Sequence, residues 1–94
     1  MKGPSIGSNI TILVIDDNQE LNLLTAMVLR GAGYEVLQAH TGAEGIEKVH
    51  AHHPDIVLLN VILPDISGVD ACRQIKEDQR LKDIIVILTS DDLT

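Results

Sequence analysis

The stretch DIVLLNVILPD, residues 55–65, decides how the chain is read. Ile56, Val57, Leu58 and Leu59 form a short unbroken apolar run, the pattern of a strand buried on both faces. The run ends on Asn60 and passes into a loop containing Pro64, so one amide side chain is delivered to the end of a strand. Upstream, His53-Pro54 closes the preceding helical segment, because the residue before a proline is driven out of the α region.

Working outward, the same alternation repeats. NITILVID (9–16), YEVLQA (34–39) and DIIVILTS (83–90) read as further strands. Three segments of helical spacing lie between the four strands. Asn18 is an N-cap for the first, in which Leu21, Leu24, Met27 and Val28 are expected to face inward and Gly31 with Gly33 to mark the stop. Thr41 caps the second, GAEGIEKVHAH, with Ala43, Ile46 and Val49 on one face. Gly45 should weaken that helix by about 1 kcal/mol relative to Ala. The third runs roughly from Gly68 to Asp78, with Val69, Cys72 and Ile75 as its inward stripe.

Strands alternating with helices predict βαβ units, a parallel sheet covered on both faces and right-handed crossovers. Such crossovers align all the strand carboxyl ends along one edge, where open α/β sheets place their chemistry. Asp16 and Asp17 after the first strand, Asn60 on the third, and Thr89 with Ser90 on the fourth should therefore converge on one rim.

Composition narrows the function classes. Ninety-four residues make one domain at most, and 45% apolar content is that of a globular chain. With one Tyr and no Phe or Trp, the core must be built from Ile, Leu, Val and Ala. A net charge of −7 argues against a general nucleic-acid or anionic-membrane surface. The single Cys72 excludes an intrachain disulfide and suits a reducing cytosol. No apolar run approaches the ~18 residues of a membrane span, and residues 1–9 read as a leader without a signal core. These features together predict a cytoplasmic location.

Taken in order, ILVIDDN, TGAEGIEKVHAHHPDIVLL, LPDISG and IIVILTS resemble the receiver domain of two-component response regulators. The resemblance spans Ile10 to Ser90 and implies a flavodoxin-like, doubly wound parallel sheet of order 2-1-3-4. It implies that Asp17 ligates Mg²⁺ directly, that Asp16 holds the ion through water, and that the Ile62 carbonyl is a further ligand. Thr89 would be the hydroxyl that reports phosphorylation, with Pro64 and Gly68 shaping the loop. Position 60 would be the Asp that accepts a phosphoryl group from a sensor histidine kinase.

The sequence departs from that pattern twice. Asn60 is a very poor nucleophile and removes one charge from the acidic pocket, so Mg²⁺ should bind weakly, although its amide oxygen can still ligate. Natural substitution and deliberate engineering both fit this residue. The chain, read as a receiver unit over residues 10–94, also lacks the expected fifth strand, the last helices and the Lys that neutralises phosphoryl charge; Lys76 and Lys82 are poor substitutes. The fourth strand then becomes an apolar edge open to self-association. The expected function is a non-enzymatic receiver module that is not phosphorylated and acts through protein–protein contact. The alternative is a fragment or mutant of a phosphorylatable Mg²⁺-dependent regulator. A Mg²⁺-dependent phosphohydrolase using Asp16 or Asp17 ranks lower, for want of a general acid.

Other polar groups have plainer readings. Asp16-Asp17 alone would suit a turn before a helix, where carboxylates meet the positive end of the dipole. His50, His52 and His53 read as helix-end residues, and with His40 they lack a zinc-like spacing of partners. Cys72 reads as a small core residue.

Overall fold

The computed structural model describes residues 9–90. The expected leader thus lies, apart from Asn9, outside the described residues. The order is β1 (Thr11–Ile15), α1 (Gln19–Gly31), β2 (Glu35–Ala39), α2 (Gly42–His52), β3 (Ile56–Asn60), α3 (Gly68–Glu77), a 3-10 turn (Gln79–Leu81) and β4 (Ile85–Thr89). The strands are all parallel in the order β2-β1-β3-β4, the expected doubly wound arrangement.

Local chemistry starts each helix. The Asn18 side chain accepts from Leu21 N–H, Thr41 from Glu44 N–H, and Ser67 from Val69 N–H. Glu20 in the first turn of α1 and Arg30 in its last complement the helix dipole. α1 stops where the two glycines were expected to end it: Gly31 is its last helical residue, Ala32 is the C-cap, and Gly33 takes the left-handed conformation at φ 103°. His53 caps α2 in the same region at φ 48°, its N–H donating to the Val49 carbonyl.

Alternation along the strands divides the core. Leu13, Ile15, Val57 and Leu59 point to the face where α2 and α3 contribute Val49, Ala71 and Ile75. Ile12, Val14 and Val36 point to the other face, against Ala26 and Leu29 of α1. Among the described residues, two helices therefore cover one face and a single helix the other. On that second face Ile85 and Ile87 of β4 remain 57% and 45% exposed.

The inward face expected for α1 needs correction. Those of α2 and α3 hold in part, with Val49 and Ile75 buried as expected and Ile46 and Cys72 packed against the core. In α1 the buried residues are Asn22 and Ala26, whereas Leu21, Leu24, Met27 and Val28 are all exposed. In α2 they are Gly42, Gly45 and Val49; Ala43 is exposed and Ile46 lies at the margin. In α3 they are Gly68, Ala71 and Ile75, with Val69 exposed and Cys72 intermediate. The physical reason is common to all three. The strands carry the bulky side chains, so the helices approach the sheet along lines of small residues. A Cβ on Gly45 would lie 2.3 Å from Ile15 Cδ1, so the helix propensity given up there serves close packing.

The sheet edges also differ. On β2 the outward carbonyls of Val36 and Gln38 accept from the Arg30 guanidinium and the Lys48 ammonium, which blunts that edge.

Candidate functional site

The strand ends do meet. Past the end of β1, Asp16 N–H donates to the Ala39 carbonyl at 3.1 Å. Ile15 and Leu59 are the last paired residues of β1 and β3, which puts Asp16 and Asn60 at neighbouring register positions. Asn60 pairs in turn with Thr89, and Val61 N–H donates to the Thr89 carbonyl at 2.9 Å. Asp16 and Thr89 share a small cleft of about 110 Å³ that Leu21 and Thr25 of α1 border. It opens where the chain order reverses between β1 and β3, the crevice in which such sheets bind ligands.

Burial grades the polar groups. Asn60 is 2% exposed and Asp16 8%, whereas Asp17 is exposed. Asp16 Oδ1 accepts from Asn18 N–H at 2.9 Å, which orders the loop entering α1. Asn60 Oδ1 accepts from Ile62 N–H at 3.0 Å, a side-chain turn that reverses the chain out of β3. Ile62 sits exposed in that loop, as does Pro64. Gly68 returns the loop, its N–H donating to the Val61 carbonyl at 2.8 Å.

Two residues essential to this geometry escaped the sequence reading. Asn22, fully buried in α1, donates through Nδ2 to the carbonyls of Asp16 and Ala39, both at 2.9 Å, and accepts from Gln38 Nε2 at 2.8 Å. The available signal was its phase, four residues after the N-cap and four before Ala26. Asp65, in the loop after β3, accepts at 2.8 Å from Gly42 N–H and at 2.8 Å from Ala43 N–H. It thereby ties the loop behind Asn60 to the start of α2.

The Asp65 link carries a pH dependence. The N–H groups of Ala43 and then Gly42 hold its carboxyl below the ordinary aspartate value of 3.8. A depressed value means that the link stabilises the fold above 3.8 and is lost as pH falls through the lower, folded-state value. Asp78, held at about 2 by Arg80, and Glu44, lowered by the His40 N–H and Lys48, act with the same sign. Asp65→Asn should therefore flatten the acid side of the stability profile, read as the urea midpoint against pH, while Asp65 is titrating. An unchanged profile would contradict the link.

The histidines keep their plain reading. His50 and His52 occupy the last turn of α2, and His40 N–H donates to Glu44 Oε1. Among the described residues, no group of three or more His, Cys, Asp or Glu side chains is placed to hold a metal ion. Among them also, no helix is long and apolar enough to cross a membrane.

Comparison with known proteins agrees with the fold. The alkaline phosphatase synthesis transcriptional regulatory protein PhoP of Bacillus subtilis is 36% identical over 84 residues, covering 89% of this chain and 35% of that protein. The polar-differentiation response regulator DivK of Brucella ovis is 33% identical over 78 residues, covering 82% of this chain and 63% of that protein. The chain thus spans less than two thirds of the length of either relative. The solved structure of the response regulator TrrA of Thermotoga maritima, in complex with Mg²⁺-BeF, superposes with a TM-score of 0.82 at 31% identity, covering 88% of this chain and 70% of that one. The response regulator receiver domain model matches residues 12–94, from the first strand through the whole rim, and the chain belongs to that family.

Proposed function

We propose that this chain is a receiver-type signalling module that takes no phosphoryl group in the ordinary way and acts through protein–protein contact. The supporting observation is Asn60, which fills the buried rim position between Asp16 and Thr89. The resemblance calls for the phosphoacceptor Asp there. A carboxamide keeps the shape of a carboxylate and makes the same turn to Ile62 N–H, but its oxygen has no full charge with which to attack phosphorus. Incubation with a small acyl phosphate and Mg²⁺ should give no mass gain; stoichiometric, acid-labile uptake would overturn the proposal. If Asn60→Asp takes up phosphate in the same assay, the chain instead derives its scaffold from a competent regulator.

The rim suits a weakly held Mg²⁺. Two adjacent carboxylates, an amide oxygen and loop carbonyls form an all-oxygen donor set, which is what a small hard dication prefers. Asp17 would ligate directly, Asp16 through water, with the Asn60 amide oxygen and the Ile62 carbonyl completing the protein share. The ion would supply positive charge to an anionic group docked at the rim, and Thr89 would offer that group its hydroxyl. Asn60→Asp adds a full charge to this donor set. It should tighten Mg²⁺ binding about tenfold or more, measured by titration.

The partners fitting this reading are a sensor histidine kinase or another signalling protein in the cytoplasm. The apolar side chains of β4 also favour self-association, since Ile85, Ile87 and Leu88 are 57%, 45% and 43% exposed. Sedimentation should show dimers or larger species at high concentration. A monomer throughout would dispose of this contact.

A further inference from the structure

We propose that Asn22 is the positioning residue of the rim: its carboxamide fixes the Asp16–Asp17 peptide, and so sets how strongly the acidic pair holds a divalent cation. The affinity part rests on the Mg²⁺ reading above; the fixing of the peptide does not. Asn22 lies on the sheet-facing line of α1 with no exposed surface, an expensive place for an amide unless every polar atom is used. Every one is used. Its Nδ2 group has two hydrogens, and it donates at 2.9 Å to the carbonyl of Asp16 and at 2.9 Å to that of Ala39. Its Oδ1 accepts from Gln38 Nε2 at 2.8 Å. The Gln38 contact decides which way the amide points, because a flipped carboxamide would set its oxygen against two carbonyl oxygens.

The carbonyl of Asp16 belongs to the peptide that joins it to Asp17. Tying that oxygen inward fixes the peptide plane, and with it the direction in which Asp17 leaves the end of β1. The same peptide unit leads to Asn18, whose N–H is held by Asp16 Oδ1 at 2.9 Å. One buried side chain thus links the carboxyl ends of β1 and β2 and orders the loop that carries both carboxylates. A cation gains from this because preorganised ligands need not be ordered at the moment of binding.

The experiment compares the full chain with Asn22→Leu, Gln38→Leu and Val49→Ala. Leu keeps the branching and heavy-atom count of Asn22 without its hydrogen bonds, and Val49 is a fully buried residue of the opposite core face and is not one of the polar residues of the rim. Amide hydrogen exchange in metal-free protein reads the peptide clamp, with global stability taken from the slowest core amides. In Asn22→Leu the Asn18 amide should exchange at least about tenfold faster than the global change accounts for, and Gln38→Leu should give a smaller shift of the same sign. Val49→Ala should give none. Mg²⁺ titration under conditions where each variant is folded should show at least about tenfold weaker binding for Asn22→Leu and unchanged binding for Val49→Ala. Asn18 exchange that merely follows global stability would overturn the clamp. A changed Asn18 amide with unchanged Mg²⁺ affinity would overturn its link to the cation. Wild-type protein that binds no Mg²⁺ would refute both that link and the metal reading, while the exchange result would still decide the clamp.

Discussion

Gly68→Ala is expected to lower the unfolding free energy by about 3 kcal/mol, at the upper end of what overpacking costs. A Cβ at this position would stand 2.2 Å from the Asn60 carbonyl oxygen and 2.6 Å from Val61 Cα. Both are backbone atoms at the end of β3, so neither can swing aside as a flexible side chain would. Helix propensity favours Ala by up to about 1 kcal/mol, which is too little to offset the displacement of a sheet strand. The first turn of α3 would have to retreat, or Asn60 would leave its register with Thr89. Gly31→Ala is the matched control, since a Cβ there meets nothing within 4 Å and the residue is already helical. It should be neutral or stabilising by about 0.5–1 kcal/mol. Urea unfolding of both variants measures the contrast, and equal midpoints would refute the close approach.

Leu13→Ala should cost about 3–4 kcal/mol, a large share of the ~5–15 kcal/mol by which small domains are stable. Leu13 is fully buried on the central strand pair, between the β2 and β3 neighbours Leu37 and Val57. With no Phe or Trp in the chain and Tyr34 packed on the other face of the sheet, no large ring is at hand to slump into the space left behind. Val28→Ala removes an aliphatic group that hydropathy alone would also place inside, yet Val28 is 71% exposed. Its effect on the stability of the monomer should stay within about 0.5 kcal/mol. A comparable loss from both variants would mean that α1 is rotated from the orientation described.

The contrast between Leu13 and Val28 marks the limit of the sequence. Strand positions were legible because each is a dense β-branched or leucine run, and burial of such a run on both faces leaves few alternatives. The caps at Asn18 and Thr41 were legible because a cap is a local hydrogen bond within three residues. Helix orientation was not. A stripe drawn through the bulkiest residues found Val49 and Ile75 but missed the contact lines Asn22–Ala26, Gly42–Gly45 and Gly68–Ala71, where closeness to the sheet demands small side chains.

The rim divides in the same way. That Asp16, Asn60 and Thr89 end their strands follows from the chain alone, and parallel order then forces them onto one edge. Asn22 and Asp65 belong to the rim through partners 16 to 23 residues away in sequence, Gln38 and Ala39 for one, Gly42 and Ala43 for the other. Sequence by itself determined the alternation of elements, the family resemblance and the polar residues at the strand ends, all products of local pattern. Only the tertiary structure decided which helix faces turn inward and which buried groups hold the acidic loop in place. Those depend on how closely a helix can approach the sheet and on where each unpaired backbone carbonyl finds its donor.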